Sequence, residues 1–355
     1  MHMADALVAP AIAGTMYAAS AAAAGYSIRR FQLTEDEKKV AVMGVMGAFV
    51  FSAQMINFTI PGTGASGHLC GGMMLSAMLG PFGGFLTMIG VLLIQCLLFA
   101  DGGLLALGCN VWNMAFYGCF IGGFLIWKPM MKQGLSKKRI VVASILGCVL
   151  TLQLGAFSVV AETAASGITE LPFTVFLAVM QPIHLAIGAV EGLITACVLS
   201  FVYEARPELL WSGRPERISA VVTLSDEDKR NDKNQDKNKA GRLSVKGTLG
   251  ILAAAAVFIG GALSLAASAF PDGLEWSMEK LTGSTELAAE GTIYSLASQI
   301  QNLTALLPDY GFADSGSVLG TSFSGIVGGV AVIVLCFAVC RGIRLLRPMR
   351  DRVHE

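Results

Sequence analysis

The chain has 355 residues, of which 54% are hydrophobic and only 14% are charged. Soluble domains carry about a quarter charged residues, so this composition excludes an ordinary soluble protein and indicates an integral membrane protein whose apolar surface faces lipid. The 25 basic and 25 acidic side chains cancel, which gives no support to nucleic acid as a partner.

Seven apolar segments at the start of the chain predict membrane helices. They cover about residues 6–28, 39–57, 69–79, 82–100, 104–127, 139–160 and 173–203. Gly80-Pro81 separates the third segment from the fourth. The connections after the first, fifth and seventh segments are rich in Lys and Arg, whereas 58–68, 101–103 and 161–172 have none. Basic connections stay in the cytoplasm, and the uncharged connection at Gly80-Pro81 is placed by helix count alone. The sequence therefore predicts an all-α, seven-helix bundle over residues 1–205 with an extracytoplasmic N-terminus.

A second module is predicted after a polar linker. Residues 206–244 contain a run of charges and amides that cannot bury enough apolar area to fold, which predicts a largely disordered cytoplasmic linker. Apolar segments at about 245–268 and 318–340 predict a two-helix membrane module over 245–345, with an extracytoplasmic segment between the helices. Residues 346–355 are expected to form a basic cytoplasmic tail.

The first two residues, Met1 and His2, form a candidate metal chelate. The terminal amine, the deprotonated His2 amide and the His2 imidazole can bind one ion in two fused rings that lie nearly in a plane. Planar nitrogen coordination suits Ni(II), Cu(II) or low-spin Co(II). The bulky side chain of His2 predicts that Met1 is retained. The predicted topology puts the loop 58–68, which ends at His68, on the same side of the membrane.

Several stretches together resemble a known family. The similar stretches are Met1-His2 with Asp5, Pro61–His68, Leu104–Asn110 and Gln181–Thr195. They resemble the CbiM/NikM proteins, the substrate-binding (S) membrane subunits of energy-coupling factor transporters for cobalt and nickel. Phe270–Trp276 is similar to the Pro-Asp-Gly-Leu-Glu (PDGLE) signature of the NikN/CbiN-like partner subunit, here fused in one chain. The resemblance covers about residues 1–205 and 245–345.

The resemblance implies a planar site with four nitrogens. These are the Met1 amine, the His2 amide nitrogen, the His2 imidazole and the His68 imidazole. Bound histidines are usually oriented by hydrogen bonds to neighbouring groups, and Asn57, Thr63 and Ser66 are the candidates here. Nickel or cobalt is then the transported substrate, with no catalytic cofactor. The Gly-Ser-Cys-Ser-His loop common in cobalt members is absent, which favours nickel.

Two ionisable residues in the seventh predicted helix form a further candidate. His184 and Glu191 are seven residues apart, on one helix face. Ionisable groups inside a membrane are functional hypotheses by default, and the alternative is a structural hydrogen-bonded pair within the bundle.

The expected function is substrate capture without catalysis. The chain lacks the Gly-x-x-x-x-Gly-Lys-Ser/Thr nucleotide-binding motif, and the resemblance implies a separate transmembrane coupling (T) subunit and paired ATPase chains. The expected location is a prokaryotic cell membrane, crossed several times, with the C-terminus in the cytoplasm. Two alternatives stay open: a membrane metal sensor or scaffold without transport, and an S component for an organic micronutrient.

Overall fold

The computed structural model describes residues 1–31, 37–212, 243–312 and 319–346. Most of the predicted linker and the predicted tail beyond residue 346 lie outside the described residues. In chain order the helices are α1 (Pro10–Arg30), α2 (Glu37–Gln54), α3 (Gly72–Phe99), α4 (Leu107–Met131), α5 (Lys137–Ser166), α6 (Phe173–Ala205), α7 (Val245–Gly261), α8 (Gly273–Thr282), α9 (Thr292–Thr304) and α10 (Leu319–Leu346). Short 3₁₀ turns cover Asp5–Leu7, Pro207–Leu209, Leu263–Ala266 and Pro308–Tyr310.

The long apolar helices make the chain a multi-pass membrane protein. Within the described residues, five helices are long and apolar enough to cross a bilayer: α3, α4, α5, α6 and the Leu319–Gly342 part of α10. Two shorter apolar helices, Lys39–Gln54 and Val245–Gly261, accompany them. The helix α1, which is rich in Ala, is not among the five, so the count of seven spans in the first module stays a prediction.

The predicted break at Gly80-Pro81 is a sharp reversal inside α3. Gly80 has a φ of 73°, a left-handed conformation that favours glycine. A Cβ added at Gly84 would lie 2.8 Å from the backbone nitrogen of Ser76, so the second arm of α3 folds back against the first. The turns from Val111 to Trp127 in α4 are π-helical, a departure from the regular α-helix that the sequence predicts.

The predicted loop after α2 contains a small hairpin. Strands β1 (Phe58–Ile60) and β2 (Ala65–Gly67) pair antiparallel, with Phe58 opposite Gly67. Gly62 and Gly64 in the turn have φ values of 78° and 76°, so both need the conformational freedom of glycine. The hairpin directs the next residue, His68, toward the bundle.

Close glycine contacts hold the helices together. A Cβ on Gly192 of α6 would lie 2.7 Å from the Cα of Ile145 in α5, and one on Gly72 of α3 would lie 2.9 Å from the Cα of Gly118 in α4. Small residues let membrane helices approach in this way. The second module joins the bundle through α7 and α10, which pack against α2. Between them, α8 and α9 form the part that was predicted only as an extracytoplasmic segment.

Candidate metal site

The N-terminal peptide is inserted into the end of the bundle. The side chains of Met1 and Met3 are buried. The Met3 amide donates to Asn110 Oδ1 at 2.7 Å, and Asn110 Nδ2 donates back to the Met3 carbonyl at 3.1 Å. Two residues on, Asp5 Oδ1 accepts the Ala106 amide at 2.9 Å. These bonds hold the backbone at Met3 and Asp5, directly after His2, and so position the first two residues.

The terminal amine and His68 lie in position to bind one metal. The Met1 nitrogen is 2.8 Å from His68 Nε2. His68 Nδ1 is 3.0 Å from the Leu69 carbonyl; because a carbonyl only accepts, Nδ1 carries the proton and Nε2 has a free lone pair. Two nitrogens bound at right angles to one ion, each about 2.0 Å from it, lie about 2.8 Å apart. The pair therefore has the spacing of adjacent ligands.

His2 lies beside them, with its ring stacked on His68. The two ring centroids are 5.3 Å apart and the planes differ by 18°. His2 Nε2 is 3.2 Å from Gln95 Oε1, and Nδ1 is 3.1 Å from Asp101 Oδ1. Burial lowers the pKa of His2 to about 4, despite the opposing charge of Asp101, so the imidazole is neutral at neutral pH and can act as a ligand. Among the described residues, no acceptor binds the His2 backbone amide.

The second module contributes Asp272 to this cluster. Asp272 Oδ2 is 2.5 Å from the Met1 nitrogen and 3.7 Å from His68 Nε2. Burial favours the protonated acid, but the Met1 ammonium outweighs it and holds the pKa of Asp272 well below its usual range. The carboxylate is therefore charged and pairs with the ammonium.

Local structure explains why the PDGLE sequence carries this aspartate. Asp272 is the N-cap of α8. Its Oδ1 accepts hydrogen bonds from the amides of Leu274 and Glu275, and the Glu275 carboxylate accepts one from the Asp272 amide. Such a capping box orients the side chain and leaves Oδ2 for the amine. A Cβ on Gly273 would lie 2.8 Å from Ile187 Cδ1, so a larger residue here would have to displace this side chain of α6. Sequence reasoning did not assign Asp272, because its contact with Met1 spans 271 positions.

The three residues predicted to orient the histidines bond elsewhere. Ser66 donates to the Phe270 carbonyl at 2.7 Å, and Thr63 donates to the Ile60 carbonyl at 2.8 Å within the hairpin. The Asn57 carbonyl accepts the Ser268 amide at 2.7 Å. These residues hold the hairpin and attach the second module. Leu69 contacts the His68 ring instead, and Gln95 and Asp101 contact the His2 ring.

The predicted pair of His184 and Glu191 is also corrected. Glu191 accepts the amides of Cys70 and Gly71 at 3.0 and 2.9 Å. It thereby holds the chain just after His68. His184 Nδ1 is bonded to the Met180 carbonyl at 2.8 Å, and its buried Nε2 has no hydrogen-bond partner. The two side chains share a helix face but not a bond, because each finds a nearer backbone group.

An acidic cavity of about 820 Å³ lies between the modules and reaches both His2 and His68. Its acidic lining residues are Asp5, Asp101, Asp272, Glu275, Glu286 and Asp309, and no Lys or Arg of the described part of the chain lines it. Within the described residues, no group of three His, Cys, Asp or Glu side chains could hold a metal. The Met1 amine is the further nitrogen donor in this cluster.

A buried terminus lies beside two histidines at the end of a helical membrane bundle, and this grouping of nitrogen donors suits a transition-metal ion. Residues 2–209 match the CbiM family model, described as the cobalt uptake substrate-specific transmembrane region. The chain belongs to this family. Residues 246–345 match a second model, the PDGLE domain.

Similar proteins include fused and single-module relatives. The chain is 33% identical to the putative fused nickel transport protein NikMN of Archaeoglobus fulgidus, over 96% of this chain and 98% of that protein. It is 28% identical to the cobalt transport protein CbiM of Geobacter sulfurreducens, over 59% of this chain and 61% of that protein. A crystal structure of a truncated transition metal transporter is 29% identical, with a TM-score of 0.51, and covers 57% of this chain and 99% of that one.

Proposed function

We propose that this chain is the substrate-capture membrane subunit of an energy-coupling factor transporter that imports nickel or cobalt ions. The metal is held in a plane by the Met1 amine, the His2 amide nitrogen, the His2 imidazole and His68 Nε2. The relatives named as nickel and cobalt transport proteins support this substrate class.

The 2.8 Å spacing between the Met1 nitrogen and His68 Nε2 carries the proposal. It matches adjacent positions in a planar complex, and the His2 amide, which has no acceptor among the described residues, follows directly in the chain. Planar nitrogen ligation favours Ni(II) and low-spin Co(II) over ions that prefer oxygen ligands. Binding a metal here removes a proton from the ammonium and another from the amide.

The partners and the topology belong to the same proposal. A separate coupling (T) subunit and paired ATPase chains supply the energy for transport, because the sequence has no nucleotide-binding motif. The N-terminus and the metal site face the outside of a prokaryotic cell membrane, and the C-terminus faces the cytoplasm. The acidic cavity beside the histidines supports this arrangement, since it attracts cations toward the site.

The test is to block the terminal amine. Three glycines placed before Met1 remove the Met1 amine from the chelate while changing no side chain, and the same three glycines after Glu355 are the matched control. A single glycine would not serve, because Gly-Met-His is itself a planar four-nitrogen chelate for nickel. Calorimetry with Ni(II) and Co(II) should show binding to the control and none to the extended chain, after mass spectrometry has established each N-terminus. Equal binding by both proteins would contradict the four-nitrogen site, and uptake without the ATPase chains would contradict the proposed dependence on separate ATPase subunits.

A further inference from the structure

Two buried glutamines link the His2 ring to the chain that follows His68. Gln54 ends α2, Gln95 lies in the second arm of α3, and their side chains are 5% and 0% exposed. Gln54 Nε2 donates to the Cys70 carbonyl at 2.8 Å, Gln95 Nε2 donates to Gln54 Oε1 at 2.9 Å, and Gln95 Oε1 is 3.2 Å from His2 Nε2. Polar side chains are costly to bury inside a membrane protein, so a bonded pair that reaches a candidate ligand is a reason to ask for a functional role.

The Cys70 carbonyl determines which atom donates in each of these three hydrogen bonds. The Cys70 carbonyl can only accept, so Gln54 must turn its NH₂ group toward it and its oxygen toward Gln95. Gln95 must then present its own NH₂ to Gln54 and its oxygen to His2. An amide oxygen only accepts, so His2 Nε2 must carry a proton.

The chelate at the N-terminus needs this same tautomer. The His2 amide nitrogen and His2 Nδ1 close a six-membered ring through a bound metal, whereas Nε2 lies on the far side of the imidazole. A metal can bind Nδ1 only when that atom has a free lone pair. Asp101 Oδ1 lies 3.1 Å from Nδ1. Because a carboxylate attracts a proton to the nitrogen that it faces, Asp101 favours the other tautomer, with the proton on Nδ1.

We propose that Gln54 and Gln95 are positioning residues that hold the His2 proton on Nε2, against the attraction of Asp101, and so keep Nδ1 open for the metal. This inference rests on the proposed function. The same hydrogen bonds connect the two histidines. They end at the Cys70 carbonyl, two residues after His68, and the Cys70 amide in turn donates to Glu191.

Histidine tautomers give the proposal a direct readout. His68 and His184 each have Nδ1 bonded to a backbone carbonyl, so His2 is the single Nε2–H tautomer among the three histidines in the described part of the chain. In ¹⁵N-histidine NMR spectra of the metal-free protein, one Nε2–H signal should disappear in His2→Ala, which assigns it to His2 and distinguishes it from any signal of His354.

The test replaces Gln95 with a side chain of similar length that cannot bond. In Gln95→Met we expect the His2 signal to change to the Nδ1–H tautomer and nickel affinity to fall about 10- to 100-fold, the usual cost of losing such a partner of a metal ligand. Gln95→Glu keeps an acceptor at Nε2 and should retain the tautomer. Gln54→Met removes the next bond and should shift the tautomer in the same direction.

A second intramembrane glutamine pair provides the control. Gln153 and Gln181 donate to each other's backbone carbonyls in α5 and α6 and make no bond to the proposed ligands. Gln153→Met should change neither the tautomer nor the nickel affinity. Gln95→Met with an unchanged tautomer would overturn the inference, whatever its affinity, and so would a Gln95→Glu protein that loses the tautomer.

The failure of this inference is distinguishable from the failure of the proposed function. If the unaltered chain binds neither nickel nor cobalt, or if His2→Ala binds them equally well, the metal site itself is wrong. If His2→Ala abolishes binding while Gln95→Met binds normally with an unchanged tautomer, the site stands and only the role of the glutamines is wrong.

Discussion

The two modules contribute to the metal site in different ways. The first, residues 1–212, supplies every nitrogen of the proposed site from buried backbone and side chains. The second, described over 243–312 and 319–346, supplies one carboxylate, Asp272, and packs its helices α7 and α10 against α2. Its α9 segment also leaves large apolar side chains exposed, with Leu303 at 83%. In the proposed site, the nitrogens of the first module select the ion, and the carboxylate of the second balances the charge of the occupied site.

The charge argument follows from the groups around Met1. Without metal, the ammonium carries one positive charge and Asp272 one negative charge. With metal, a divalent ion and one deprotonated amide again leave one positive charge. Asp272 therefore balances the same charge in both states, while two protons leave for each metal that binds. On this view the PDGLE domain is part of the binding site and not only an attached partner.

The largest loss of nickel affinity is expected from substituting a ligand of the first module. His68→Ala removes one of four ligands and should weaken nickel binding by more than about 100-fold, beyond the usual cost of losing a partner of a ligand. His184→Asn is the matched control, since this buried histidine lies near the cluster but bonds to the Met180 carbonyl. Calorimetry measures both. If His184→Asn lost as much affinity as His68→Ala, the ligand assignment would be wrong.

Much of the first module was predictable from sequence because its signals are local. Apolar length and the break at Gly80-Pro81 are read within a few dozen residues, and the structure has long apolar helices and a reversal at Gly80. The chelate needs only the first two positions. The predicted meeting of Met1 with His68 depended on topology, and the structure brings these residues within hydrogen-bond distance.

The parts of the site that the sequence did not predict depend on contacts between distant parts of the chain. Asp272 meets Met1, and Gln95 meets both Gln54 and His2. Each of these residues has an ordinary local explanation, as a helix cap or a polar side chain in a helix, so spacing alone gives no signal. The predicted orienting residue Ser66 bonds to Phe270 of the second module for the same reason: the nearest partner in space is remote in sequence.

A smaller effect is expected from the second module's carboxylate. Asp272→Asn leaves the positive charge of the occupied site unbalanced, whereas the metal-free site can lose the ammonium proton. Nickel affinity should fall about tenfold. Calorimetry in buffers with different ionisation heats should show proton release falling from about two per metal toward one.

Asp309→Asn is the control for this change, because Asp309 lines the same cavity without an ion pair to the proposed ligands. Asp272 does not balance the charge if its asparagine variant binds nickel with unchanged affinity and unchanged proton release.

The smallest effect on nickel affinity is expected from a contact that attaches the second module to the hairpin without touching the proposed ligands. Trp276 Nε1 donates to the Thr63 carbonyl of the hairpin at 3.1 Å, and Trp276→Phe removes this bond while keeping an aromatic ring. One hydrogen bond contributes about 1 kcal/mol, and part of that loss should reach the site through the position of Asp272, so we expect nickel affinity to fall about twofold to fivefold. Trp112→Phe, which loses a bond to Tyr117 within α4, should leave the affinity unchanged. A loss in Trp276→Phe as large as that in Asp272→Asn would mean that docking of the second module, and not the Asp272 charge, controls binding.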